Sequence, residues 1–250
     1  MNQIKQENRK ALPRFFIMLA AAGIFGAVIG FASAFAADTE MVERVGAALS
    51  AFLTFIAPWG IPVSSLILLS LSFSLCRRAG TMAHGWDGED EQTVETAEEK
   101  LSWALFWSNL LLLLDFFFVS LCPLYIKSLW GLVTILLFLL SFAGIMLVQQ
   151  KVVDLARILN PEKQGSIYER NFRKKWVASC DEAEQRQIGQ AAYKSYSAMN
   201  MAFPVVWCIL TVLNFFFDTG LLPVLVVLVL WGISSTSYLL EAIRLGKTGR

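Results

Sequence analysis

Hydrophobic residues along this chain fall in long unbroken blocks, without the alternation of a half-buried strand. Charge-free runs cover 15–37, 45–76, 128–150, 195–217 and 219–240, and a sixth, 101–126, is interrupted only by Asp115. A helix rises about 1.5 Å per residue, so about 20 residues cross a hydrocarbon core of about 30 Å. Backbone groups cannot stay unpaired in lipid, so these runs are predicted to be helices. The 32-residue run 45–76 is too long for one straight crossing, and Pro58-Trp59-Gly60-Ile61-Pro62 inside it predicts a break. On that reading an outer-face segment precedes a span whose helix proper begins near Ile61. The expected architecture is an all-α, polytopic transmembrane bundle. Its six spans fall at about 15–37, 56–76, 101–122, 128–150, 197–217 and 220–241, with short cytoplasmic helices in a module at about 151–197.

Charge sets the orientation. The N-terminal tail carries four Lys/Arg, the 76–100 loop three, the 149–198 loop nine and the C-terminal tail three, whereas the alternate connections hold only Arg44 and Lys127. This asymmetry places both termini in the cytoplasm. Trp59, Trp103, Trp107, Trp130 and Trp207 lie near span ends, where aromatic belts sit. Lys5, Arg9, Lys10 and Arg14 ahead of Ala32-Ser33-Ala34-Phe35-Ala36 imitate a signal peptide, but 23 uncharged residues exceed its apolar region of about 7–15 and favour a span.

Composition agrees with lipid as the main solvent: 56% of residues are hydrophobic and 16% charged, against about 45–50% and about 25% in soluble domains. A net charge of +1 gives no bulk attraction to nucleic acid, and the basic cluster near 170–175 is flanked by Asp181, Glu182 and Glu184. Nucleic acid is therefore not an expected partner. Four dispersed cysteines and the single His84 make no zinc constellation. Cys180 reads as a small inert filler ahead of a redox thiol. Seven acids between Asp87 and Glu99 invite a divalent cation, yet the glycine of Asp87-Gly88-Glu89-Asp90 is misplaced for an EF-hand loop. The simpler expectation is a solvated acidic helix. No metal and no cofactor are expected.

The loop 151–197 reads as three helices. Lys151–Leu159 continues a span until Asn160-Pro161, because the residue before proline disfavours the α region. Ser166–Glu169 and Ser179–Glu182 both have capping-box spacing. After the first box, Tyr168, Phe172 and Trp176 form a stripe amid Arg170, Arg173, Lys174 and Lys175. The stripe is expected to dock on Ile188, Ala192 and Tyr196, with the basic side toward the acidic loop; the competing reading lays it in the membrane interface. The candidate interaction surface is Arg170, Phe172, Arg173, Lys174, Lys175, Trp176, Asp181, Glu182 and Glu184.

Asp115 is the one ionisable residue within an apolar run. An aspartate near a span centre costs about 2.5–3.5 kcal/mol on insertion scales. With Asn109 and Asn214 it forms a candidate intramembrane polar site, for ion or proton coupling or for a hydrogen bond between spans. Leu111–Phe118 and Leu210–Phe217 match at an offset of 99 residues, a faint parallel repeat that pairs Asp115 with Asn214. No H-E-x-x-H, G-x-S-x-G or P-loop is present, so an enzyme is not expected.

Asn160-Pro161-Glu162, Phe172, Lys174-Lys175-Trp176 and the run Ser179 to Glu184, set between hydrophobic hairpins, resemble an uncharacterised family of bacterial multi-span membrane proteins known only as a domain of unknown function. The resemblance implies a bacterial inner-membrane location and supplies no mechanism. The expected function is that of a non-enzymatic accessory or interaction protein acting through its cytoplasmic loops. Membrane lipid and a protein partner or second copy are its expected contacts. The alternative is a small-solute or ion transporter using Asp115.

Overall fold

A computed structural model describes residues 40–88, 90–121, 129–217 and 219–248, with scattered positions between 12 and 31. The described residues are helical and contain no strand. Six helices are delimited: α1 (Glu40–Gly85), α2 (Glu91–Ser120), α3 (Leu129–Leu159), α4 (Phe172–Ala178), α5 (Glu182–Phe217) and α6 (Leu222–Thr248). All but α4 are long and apolar enough to cross a membrane. The expected span 15–37 lies largely outside the described residues, as do Cys122 and Lys127.

The expected break at Pro58–Pro62 does not occur. Helix α1 runs unbroken for 46 residues with both prolines inside it, about 69 Å of helix. The prolines remove the N–H groups that would bond the carbonyls of Thr54 and Pro58, but an apolar surrounding offers the remaining backbone groups no partner except the helix itself. Gly60, between them, receives the ring of Phe118: a Cβ there would stand 2.1 Å from Cδ1 of that ring.

The chain divides into two units. One, Leu49–Ile188, contains most of α1, all of α2 to α4 and the first turns of α5. Its buried positions recur at spacings of four and three: Ala97, Leu101, Ala104, Ser108, Leu111 and Asp115 on α2, and Ser141, Ile145, Val148, Val152, Leu155 and Leu159 on α3. This is the interval that lets ridges of side chains on one helix enter the grooves of its neighbour at a shallow angle. The register follows from the contacts. Ser65 meets Ser141, Leu69 meets Gly144 and Gly80 meets Leu155, so α1 and α3 are parallel with offsets of 75 or 76. Asp115 meets Ser141 while Glu98 meets Asn160, so α2 runs antiparallel to α3. Cys76, Ala79, Ala97, Leu101, Val152 and Leu155 belong to the core where α1 ends, α2 starts and α3 ends.

The other unit comprises the chain up to Ala48 and Gly189–Arg250. Within it the rings of Tyr196 and Tyr238 stack at 4.3 Å, and those of Phe203 and Trp231 at 6.3 Å. These pairs set α5 and α6 antiparallel about the turn at Gly220, whose φ of +73° suits a residue without Cβ. No described residue of α6 is buried.

Candidate functional site

The segment 160–188 caps the end of the three-helix bundle. Helix α3 stops at Leu159, as Asn160-Pro161 predicts. Asn160 Nδ2 then donates to Glu98 Oε1 of α2 at 2.7 Å. Gln150, on α3, accepts at Oε1 from Ser166 Oγ (3.0 Å) and the backbone N–H of Ile167 (3.1 Å). Gly165 turns the chain at φ +116°, and a Cβ there would lie 2.9 Å from Phe172 Cδ2. Lys163 is buried, pairs with Glu184 and stands 5.5 Å from the centroid of the Trp176 ring. Burial depresses the ammonium, but the hydrogen bond and charge of Glu184 outweigh it, and its pKa is raised above the ordinary lysine value.

Neither predicted capping box forms. Residues 167–171 are turns and a bend, and Ser166 is taken by Gln150. Ser179 Oγ donates to Trp176 O and accepts from Gln164 N. The box that does form lies two residues on: Asp181 Oδ1 accepts from Glu184 N at 2.7 Å, and Glu184 Oε2 accepts from Asp181 N at 3.2 Å. Aspartate is as good a cap as serine and puts negative charge at the helix start. Cys180 is buried, donates to Trp176 O, and has its thiol pKa pushed up by burial, which suits a filler.

The aromatic stripe is also revised. Tyr168 is exposed and outside any helix, and Ile188, an expected docking partner, is exposed; Ala192 and Tyr196 belong to the other unit. Phe172 and Trp176 instead line a cavity of about 410 Å³ with Leu101, Leu105, Val152 and Ala156. Along the helices Glu98 and Lys163 stand at one end and Asn109 and Gln149 at the other, and Ile167 of the cap, held by Gln150, also lines the space. Arg170, Arg173 and Lys174 are exposed, and Lys175 pairs with Glu169, outside the acidic segment 87–99. Glu182 is exposed. The nine predicted surface residues are thus split: two line the cavity, two form the cap of α5, and the basic ones point outward.

The acidic segment begins α2. Asp90 is its N-cap, accepting from Gln92 N at 3.1 Å and from Thr93 Oγ1, and the Thr93 hydrogen bond holds its carboxyl below the usual range. Among the described residues no three His, Cys, Asp or Glu side chains converge on a metal position.

Asp115 is fully buried, where Ser141 Oγ donates to its Oδ2 at 2.5 Å and Ser65 Oγ donates to Ser141 at 2.9 Å. Three helices are linked through this chain of donors. Oδ1 has no hydrogen-bond partner among the described residues. Asn109 does not join this chain of donors. Asn109 is exposed and donates to its own helix at Leu105 O, and Asn214, in the other unit, accepts from Thr219 Oγ1 at 3.3 Å.

A family model described as a protein of unknown function (DUF3169) matches residues 9–242. The chain belongs to the DUF3169 family. No curated protein and no solved structure matches it. Membership agrees with the resemblance to an uncharacterised family and assigns no residue a role. In this DUF3169 chain the residues that sequence reasoning missed are Ser141, which donates to Asp115, and Ser65, which donates to Ser141. Their signal is positional. Ser108, Asp115 and Ser141 each interrupt an apolar run at the four-and-three spacing of a buried seam, where a polar group needs a partner.

Proposed function

We propose that the protein is a six-span integral protein of the bacterial cytoplasmic membrane, with both termini and the 160–188 cap on the cytoplasmic side. It acts without chemistry of its own, as an accessory protein whose cap meets the acidic face of a partner protein. The observation that carries this reading is the cap itself. Glu98–Asn160, Gln150–Ser166 and Lys163–Glu184 fix it to the bundle, while Arg170, Arg173 and Lys174 stay exposed. An ordered basic edge on a rigid base can be recognised without an ordering cost at binding.

The test reverses that charge. Arg170→Glu, Arg173→Glu and Lys174→Glu together should abolish recovery of the partner cross-linked in native membranes, at unchanged protein level and membrane fraction. A complex indifferent to all three overturns the proposal.

The transporter reading is favoured by one feature, the Oδ1 of Asp115, unpartnered among the described residues. Against it stands complete burial among serines, which suits a fixed tie between helices. A flux in proteoliposomes that Asp115→Asn abolishes while assembly persists would reinstate it.

A further inference from the structure

The cavity under the cap has a chemical gradient that the accessory function does not use. Its wall along α2 runs from Glu98 to Asn109, about 16 Å of helix. Between these ends the wall is apolar, built from Leu101 and Leu105 opposite Val152 and Ala156. At the far end the carboxamides of Asn109 and Gln149 supply hydrogen-bonding groups. At the near end two ionic groups line the space, Glu98 and Lys163. Lys163 is matched by Glu184, so that pair is neutral. Glu98 accepts from the neutral Asn160 and makes no ion pair among the described residues. Glu98 and Glu184 both act on the single charge of Lys163, so the site holds one carboxylate in excess, beside the rings of Trp176 and Phe172 and above an apolar slot with a polar floor.

We infer that this slot binds a small amphiphile carrying an ammonium group, an apolar body and a hydrogen-bonding group at the far end. The ammonium meets Glu98 beside Phe172, where the carboxylate in excess favours a cation and disfavours an anion, while the Trp176 ring already carries the Lys163 ammonium. The apolar body lies between α2 and α3, and a terminal hydroxyl or carbonyl reaches Asn109 and Gln149. A volume of about 410 Å³ is in the range of small-ligand pockets. Such chemistry can come from a free amine or from the ethanolamine head of a membrane lipid. The inference rests on the membrane reading above, since the slot begins at the level where the charged cap meets the apolar helices.

The experiment uses the full chain in nanodiscs of phosphatidylglycerol, which bears no ammonium, with radiolabelled decylamine as probe and empty nanodiscs as the blank. Saturable binding is expected, displaced by aminodecanol more strongly than by decylamine and not by decanoate. Glu98→Gln, which keeps an acceptor for Asn160, should weaken binding about tenfold. Ser102→Trp, at the exposed edge of the slot, should abolish it. Displacement on adding phosphatidylethanolamine identifies the lipid head as the source, and its absence identifies a free amine; either supports the inference. Protein that inserts but shows no saturable binding overturns the inference alone, as does equal competition by decanoate or an unchanged affinity in Glu98→Gln. Protein that remains in solution without lipid or detergent overturns the membrane reading and this inference with it.

Discussion

Two serines with different surroundings separate a structural tie from a tolerated defect. Ser141 is the sole donor to Asp115 among the described residues, so Ser141→Ala strands a buried carboxylate, and a loss of about 1–3 kcal/mol is expected in detergent-solubilised unfolding. Ser72 Oγ is buried without a partner among the described residues, so Ser72→Ala removes an unsatisfied hydroxyl and should leave stability unchanged or slightly raised. Gly60→Ala should cost about 1–3 kcal/mol, because its Cβ would overlap the Phe118 ring and force that side chain or the α1 backbone to move. Equal melting points for Ser141→Ala and Ser72→Ala would remove the basis for calling Asp115 a tie. None of these partners is legible from hydropathy, which treats serine as a weak spacer. Seeing them requires knowing which helix faces which, and the sequence shows only the interval at which polar residues interrupt a seam.

At the scale of elements, long apolar runs and the stop at Asn160-Pro161 are plain in the chain, because length and proline act locally. The break at Pro58–Pro62 and the two serine capping boxes are misleading for the complementary reason. Local preferences of about 1 kcal/mol for a cap and about 3 kcal/mol for an interior proline yield to surroundings, to the lack of alternative partners for α1 and to the prior claim of Gln150 on Ser166. Glu184 shows how much one side chain can carry. It closes the α5 capping box and neutralises Lys163, so Glu184→Ala should open the cap with a cost of about 3 kcal/mol or more. Glu182→Ala, exposed in the same turn, should cost little. Limited proteolysis between 160 and 181 reads the difference, and equal cleavage of the two variants would contradict it. The raised pKa of Lys163 gives the pH dependence. Its ammonium stabilises the cap fully below the ordinary lysine value, and that contribution is lost as pH climbs past the raised folded value, so cap cleavage should accelerate only in strongly alkaline buffer.

At the scale of the molecule, the two units differ in how they treat apolar surface. Leu49–Ile188 buries a continuous seam between three helices, whereas α6 buries no described residue and displays Leu225, Val229, Ile233 and Leu240. A soluble protein rarely leaves so much apolar surface in contact with water. Hydrocarbon as the surrounding medium accounts for both, and the proposed orientation rests on the distribution of Lys and Arg. Paired reporters inserted after Lys175 and after Thr219 test this claim most directly. The account predicts a fluorescent protein active and alkaline phosphatase inactive at Lys175, with the opposite pattern at Thr219. Phosphatase activity at Lys175, or the same reporter active at both sites, would contradict it.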